Sequence, residues 1–146
     1  MPYTKQALDI QAIKAVIERQ FASASWNAYK QPDWDGFVAV FHQDATLFSA
    51  DQLAAAQTSQ DFAARLQEQA KTTRRTFQET ALKSDVFVSG NIATAIVDCE
   101  NIANGYEIHR TIEMLLLVKN ADGWKIVSQA WDQARPVEPV HDAWSI

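Results

Sequence analysis

Cysteine and glycine are scarce in this sequence. Cys99 is the single cysteine among 146 residues, which excludes an internal disulfide and the cysteine and histidine spacing of a structural zinc site. The four glycines are too few and too scattered to form a phosphate-binding loop. We therefore expect no cofactor and no metal ion, and a reducing, cytoplasmic compartment.

Positive charge and long apolar runs are also scarce. The chain has 13 Lys and Arg against 18 Asp and Glu, and its net charge of -5 offers no field that attracts nucleic acid or anionic membranes. No apolar run approaches the roughly 18 residues of a membrane span, and residues 1–10 lack the apolar core of a signal peptide. We expect neither nucleic acid nor a membrane as a partner.

Apolar residues, by contrast, are plentiful. They make up 47% of the chain, which at this length is enough to bury one core and excludes a disordered chain. We therefore predict a single domain over residues 1–146, with a core over about 8–132 and a C-terminal tail over 133–146.

Helical periodicity dominates the first half. Apolar residues at steps of three and four over 10–28 predict a long amphipathic helix that ends near Pro32. Asp33 is the predicted cap of a short second helix that reaches Phe41, and His42 is predicted to cap its end. A short strand over residues 45–49 and a third helix, capped within residues 58–61, follow.

From Arg75 onward the period changes to two, which indicates strands. Three turn signals divide this half into four strands. The turn signals are Ser89-Gly90-Asn91, Asn104-Gly105 and Ala121-Asp122-Gly123. Helices followed by strands predict an α+β fold with three N-terminal helices packed on a curved antiparallel sheet.

The register of the second hairpin selects the candidate site. With Asn104-Gly105 as a two-residue turn, Cys99 faces Arg110 on an apolar sheet face that should turn toward the helices and leave room for a ligand. Arg110 then needs an anionic partner, and the predicted third turn places Asp132 diagonally beside it. A different turn assignment would place Gln129 and Trp131 there instead.

Two interpretations of this pair stay open. Arg110 and Asp132 form either an internal ion pair that fixes the register, or a ligand-facing pair in which Asp132 acts as an acid or base. Cys99 is interpreted as a small buried apolar residue rather than a nucleophile. The opposite face should be polar and solvated or part of a dimer surface, and its members are Asp98, Glu100, His109 and Glu113.

Several segments together resemble a known superfamily. They are Asp33-Trp34-Asp35-Gly36-Phe37, Phe41-His42-Gln43-Asp44-Ala45-Thr46, Gly90-Asn91-Ile92-Ala93 and Asp122-Gly123-Trp124-Lys125-Ile126. Over residues 8–132 their order and spacing resemble the nuclear transport factor 2-like superfamily, in its SnoaL-like small bacterial branch. The resemblance implies a cone-shaped, cystatin-like α+β fold, a pocket between the first helix and the sheet, and commonly a homodimer through the outer sheet face.

Enzymes of this superfamily give partial matches only. The general-base position of ketosteroid isomerases matches Ser49, and their oxyanion-hole tyrosine falls at or near Phe21 or Ser25, so isomerase chemistry of that kind is not expected. Epoxide hydrolases of this fold use an Asp-Arg-Asp arrangement, of which Arg110 and Asp132 supply two members. The histidines of scytalone dehydratase have no counterpart, because His109 is predicted to point to the polar face.

The leading hypothesis is a homodimeric protein that binds a small apolar molecule with one polar group. The ligand would contact strand residues and two helix aromatics at the pocket mouth, and the set is Cys99, Asn101, Tyr106, Arg110, Met114, Ser128, Trp26 and Tyr29. One alternative is an enzyme of the isomerase, dehydratase, cyclase or epoxide hydrolase type with Arg110 and Asp132 as catalytic residues. Another is a non-catalytic dimerisation module.

Overall fold

The fold consists of three helices and a five-stranded sheet, seen in a computed structural model that describes residues 4–51 and 53–137. The helices are α1 (Lys5–Ser23), α2 (Trp34–Ala39) and α3 (Ser59–Thr72). The strands are β1 (Phe41–Ser49), β2 (Phe77–Ser89), β3 (Ile92–Ala103), β4 (Glu107–Asn120) and β5 (Gly123–Gln133). The predicted α+β class is confirmed, and the predicted tail beyond residue 137 lies outside the described residues.

The sheet is mixed rather than wholly antiparallel. Its strand order is β1-β5-β4-β3-β2, and the four later strands form an antiparallel meander. β1 pairs in parallel with the free edge of β5, which corrects the antiparallel prediction at that edge. This pairing covers a sheet edge that would otherwise expose unpaired backbone groups.

Local capping signals in the sequence are confirmed. The Asp33 side chain accepts a hydrogen bond from the Gly36 backbone N–H at 2.9 Å and caps α2. The Thr58 hydroxyl accepts from the Asp61 N–H at 3.0 Å and caps α3. These interactions lie within four residues, so the sequence alone encodes them.

The end of α1 was predicted wrongly. The helix ends at Ser23, well before Pro32, because the Ser25 hydroxyl donates back to the Phe21 carbonyl and the chain then turns extended. Trp26 exchanges two backbone hydrogen bonds with Phe77 at 2.8 and 3.0 Å, which fastens this segment to the start of β2. The helix therefore stops where a strand contact takes over its backbone groups.

The end of α2 also differs from the prediction. Its last residue is Ala39, and Phe41 is already the first residue of β1. His42 therefore lies in a strand and does not cap a helix, and its Nδ1 accepts a hydrogen bond from the Asp44 N–H at 3.0 Å.

The hairpin between β3 and β4 has one more loop residue than predicted. Asn104 and Gly105 have the expected positive φ values of 54° and 80°, but Tyr106 also belongs to the loop. Ala103 therefore faces Glu107 instead of Tyr106. A shift of one residue moves every side chain of β4 to the opposite face of the sheet.

Contacts outside the hairpin hold this register. The Asn104 N–H donates to the Thr76 carbonyl at 2.9 Å, and its side chain bonds the Arg75 N–H and the Thr73 carbonyl at 2.8 and 3.1 Å. The loop is thereby tied to the segment that precedes β2. The apolar pattern of β4 could not reveal this, because residues 114–118 are apolar at every position and suit either face.

The last hairpin, in contrast, has one loop residue fewer than predicted. Only Ala121 and Asp122 form the turn, and Gly123 opens β5 with a φ of 105°. An irregularity between Leu116 and Leu117 compensates for the missing loop residue, so Ile112 faces Asp132 as expected. Both of these side chains, however, lie on the outer face.

A buried carboxylate ties α1 to the far end of the sheet. Asp9 is 4% exposed and accepts hydrogen bonds from Lys5, Lys119 and the Trp124 indole N–H, at 2.9, 3.0 and 3.2 Å. The hydrogen bonds from the two ammonium groups lower its pKa to about 2. The Asp9 carboxylate thus connects α1 to β4 and β5, which are far from it in sequence.

We predict that Asp9→Asn lowers the melting temperature by several degrees, because two ammonium groups lose their counter-charge. The folded-state pKa lies below the ordinary value of 3.8, so the stabilisation is present above that pH and is lost as the pH falls toward 2. Thermal unfolding from pH 7 to pH 2 measures this. The control Asp44→Asn removes a carboxylate that is 82% exposed and should change little; equal effects of both substitutions would contradict the prediction.

Candidate functional site

A cavity of about 570 Å³ lies between the concave face of the sheet and the helices. Strands β2 to β5 supply its floor, α3 supplies one wall, and the segment after β1 lies at its rim. The size is within the usual range of small-molecule sites, about 300–1,000 Å³. This cavity is the candidate functional site.

Three aromatic side chains form one wall of the cavity. The rings of Phe37 and Phe62 are stacked at 5.7 Å and 23°, and Trp131 meets Phe62 edge-on at 5.3 Å and 72°. Rings in these arrangements support one another and present an apolar surface of ring faces and edges. The wall suits a planar ligand.

The floor contains a buried chain of polar side chains. Gln20 of α1 and Gln129 of β5, each 2% exposed, exchange two amide hydrogen bonds of 2.7 and 2.9 Å. The Gln129 amide nitrogen also donates to Glu113 Oε1 at 2.6 Å, and Glu113 is 7% exposed. This chain orients a carboxyl group toward the cavity.

Two carboxyl groups of the cavity resist ionisation. Burial raises the pKa of Glu113, although the hydrogen bond from Gln129 opposes this shift. Burial and then the charge of Glu113 raise the pKa of Glu79 well above its ordinary value, against the opposing effect of Arg74. Burial, followed by the charges of these two carboxyls, also raises the pKa of Cys99, which agrees with an inert, buried thiol.

The cavity also contains hydrogen-bond acceptors without partners. Within the described residues, the buried side-chain oxygens Gln69 Oε1 and Thr111 Oγ1 have no hydrogen-bond partner within normal distance and angle. Buried polar atoms are nearly always satisfied in folded proteins. A bound molecule that carries donors would satisfy these two.

Two of the predicted site residues belong to this region. Asn101 lines the cavity, as expected. Cys99 is fully buried in the same face of β3, and its Sγ lies 3.4 Å from Asn101 Oδ1.

The predicted catalytic pair lies outside the cavity. The register places Arg110 opposite Glu100, and the two form an ion pair of 3.0 Å on the outer face, with the Arg110 side chain 57% exposed. Asp132 is exposed on that face as well. The hypothesis of an enzyme that uses Arg110 and Asp132 inside the pocket is therefore not supported by the positions of these residues.

Five other predicted contacts are corrected. Met114 is 48% exposed on the outer face, where it lines a groove with Asp132, and Ser128 pairs with Leu116 of the same face. Tyr106 and Tyr29 are 73% and 100% exposed. Trp26 lines a separate cavity of about 450 Å³ beside the main one.

The predicted polar outer face is divided between the two faces. His109 and Glu113 line the cavity, whereas Glu100 lies outside. The cause is the same one-residue shift, which turns the odd-numbered residues of β4 inward.

Sequence analysis missed Gln20 and Glu79, although weak signals existed. Gln20 follows Ile13 and Ile17 at helical spacing, so a polar amide lies on the buried stripe of α1. Glu79 lies two residues after the buried Phe77 and therefore shares its face. A polar residue in a predicted core stripe is itself a sign of a site.

Comparisons with known proteins agree with the fold. The model of a protein family described as "Putative lumazine-binding" matches residues 9–132. A nuclear transport factor 2-like protein of unknown function from Pseudomonas putida gives a TM-score of 0.69 at 15% identity, over 94% of this chain and 100% of that chain. No protein with a curated description matches the sequence significantly.

Two further solved structures are similar. A protein of unknown function from Mycobacterium tuberculosis gives a TM-score of 0.72 at 18% identity, over 91% of this chain and 76% of that chain. A putative scytalone dehydratase from Novosphingobium aromaticivorans gives 0.68 at 16% identity, over 94% and 92%. At these identities the similarity concerns the fold alone; the shared fold together with the family match over residues 9–132 confirms the predicted superfamily.

We predict that Gln20→Ala destabilises the protein by about 1–3 kcal/mol, because the buried Gln129 amide loses its partner. Urea unfolding at pH 7 measures the loss. Gln11→Ala is the matched control, since Gln11 is an exposed glutamine of the same helix. Similar unfolding midpoints for the two variants would contradict a structural role of the amide pair.

Proposed function

Because the chain belongs to this lumazine-binding-like family of the nuclear transport factor 2-like superfamily, we propose that it binds a small, flat organic molecule in the cavity described above. One observation carries the proposal: an aromatic cluster and a buried chain of polar side chains line the same cavity of about 570 Å³. Apolar faces bind the plane of a ligand, and a few fixed polar groups select its edges.

The ligand proposed here is more polar than the sequence analysis expected. Glu79, Glu113 and Gln129 line the cavity in addition to the predicted Asn101. Each buried polar group that a ligand leaves unpaired weakens binding. We therefore propose a planar heterocycle with several polar edge atoms.

Lumazine, a fused two-ring compound with cyclic amide groups, is the probe that the family description suggests. Its ring plane would stack on Trp131, with the Phe62 ring edge-on beside it. A carboxyl group that holds its proton offers one donor and one acceptor side by side, as does a glutamine amide. Glu113, which Gln129 holds in place, therefore complements the N–H and C=O of a cyclic amide edge.

We also propose a homodimer through the outer face of the sheet. Large apolar side chains of β2, β3 and β4 are exposed on this face. These side chains are Phe87, Ile92, Met114, Leu116 and Val118. A contiguous apolar patch of this kind is typical of an association surface. Glu113, which sequence analysis assigned to this face, lines the cavity instead.

The binding proposal predicts that Trp131→Ala weakens lumazine binding by at least about tenfold, because the ligand loses one aromatic face. Isothermal titration calorimetry at pH 7 measures the affinity. Arg110→Ala, which removes an exposed outer-face side chain, is the control and should bind as the wild type does. An unchanged affinity of Trp131→Ala, or a loss in Arg110→Ala, would place the ligand elsewhere.

The dimer proposal predicts that the double substitution Met114→Glu and Leu116→Glu gives a monomer, since it buries four carboxylates near the two-fold axis. Sedimentation velocity distinguishes the two states. Tyr29→Glu adds a carboxylate at a fully exposed residue away from the sheet and should leave the dimer intact. A monomeric wild type, or a double variant that still sediments as a dimer, would overturn the proposal.

A further inference from the structure

Several oxygen atoms that line the cavity can accept hydrogen bonds from a ligand. Glu79 and Glu113 reach it from β2 and β4, and Gln69 Oε1 and Thr111 Oγ1 add two buried oxygens without donors. The donors of the Gln129 amide are already used, because its nitrogen bonds both Gln20 and Glu113. A ligand that supplies N–H groups therefore fits this lining better than one that supplies carbonyl oxygens.

The cations near the cavity do not neutralise its carboxyls. The Arg74 guanidinium lies over the Phe77 ring at 4.8 Å, and Arg65 donates to Gln57 Oε1 at 2.5 Å. Within residues 4–51 and 53–137, neither Glu79 nor Glu113 forms a salt bridge. The remaining titratable groups that face this region are Asp51, Cys99 and His109.

Burial without a salt bridge raises the pKa of both carboxyls, against the opposing charge of Arg74 at Glu79, and so favours their protonated forms. A carboxyl group that does not ionise alone can still pass its proton to a ring nitrogen, because the ion pair that results stabilises both charges. The resulting carboxylate and the protonated ring would then attract each other in a site of low dielectric. The aromatic wall of Phe62 and Trp131 favours a cationic ring as well.

Resting on the binding function proposed above, we infer that the ligand is a donor-rich nitrogen heterocycle, which presents amino groups and a protonatable ring nitrogen to Glu79 and Glu113. On binding, the O–H bond of the Glu113 carboxyl breaks and an N–H bond forms on the ring. The proton moves within the complex, so none is taken up from solvent and no other bond of the ligand changes. Glu113 and Glu79 then act as specificity-determining residues.

A matched pair of probes tests this inference. Lumazine and 2,4-diaminopteridine share one ring system, but amino groups replace the two carbonyl oxygens in the second compound. We expect 2,4-diaminopteridine to bind at least about tenfold more tightly than lumazine at pH 7. We also expect its bound absorption spectrum to be that of the protonated ring, at a pH where the free ring is neutral.

The variant Glu113→Gln should remove this preference and the spectral signature. Its amide oxygen still accepts from Gln129, so the buried chain is kept, but it has no proton to transfer. Glu79→Gln is a second variant, for use if thermal unfolding shows that Glu113→Gln folds poorly. It should also reduce the preference for the diamino compound. Asp132→Asn makes the same chemical change on the outer face and should leave both readouts unchanged.

The outcomes separate the two proposals. If lumazine binds and the diamino compound binds no more tightly, or binds as the neutral ring, the inference about donors fails and the binding function stands. A preference that survives both Glu113→Gln and Glu79→Gln overturns the assignment to these carboxyls. If neither compound binds, both proposals fail.

Discussion

The pairing register of β3 and β4 determines which chemical groups reach the cavity. Tyr106 is a third loop residue in their hairpin, so Cys99 faces Thr111 and Glu100 faces Arg110. Because side chains alternate along a strand, this single residue exchanges the inner and outer sets of β4. It brings His109, Thr111 and Glu113 inward and leaves Arg110 in an outer ion pair.

Burial of Glu113 is possible only because two distant amides support it. Gln129 reaches it from the neighbouring strand, and Gln20 holds Gln129 from α1. A buried polar network of this kind is unfavourable when one member is missing, since each partner is then left unsatisfied. The network therefore links the position of the first helix to the orientation of the carboxyl group in the cavity.

The pKa values of carboxyl groups shift in opposite directions at the two ends of the interface between α1 and the sheet. At one end Asp9 accepts three hydrogen bonds, two of them from ammonium groups, and its pKa falls to about 2. In the cavity, Glu113 is buried and Glu79 is partly buried, neither forms an ion pair among the described residues, and the pKa of each rises. Asp9 has all its hydrogen-bond donors within the protein and stabilises the fold. The acceptors of the cavity lack donors, which a ligand could supply.

The sequence by itself determined what short-range interactions encode. The caps at Asp33 and Thr58, the limits of β3, the α+β class and the superfamily all follow from patterns within a few residues or from their order along the chain. Only the tertiary structure decided the end of α1, the parallel pairing of β1 and the register of β4. The register of β4 could not be predicted because residues 114–118 are apolar at every position, so that either face could be buried. The hydrogen bonds of Asn104 with residues 73–76 fix the register in the folded protein.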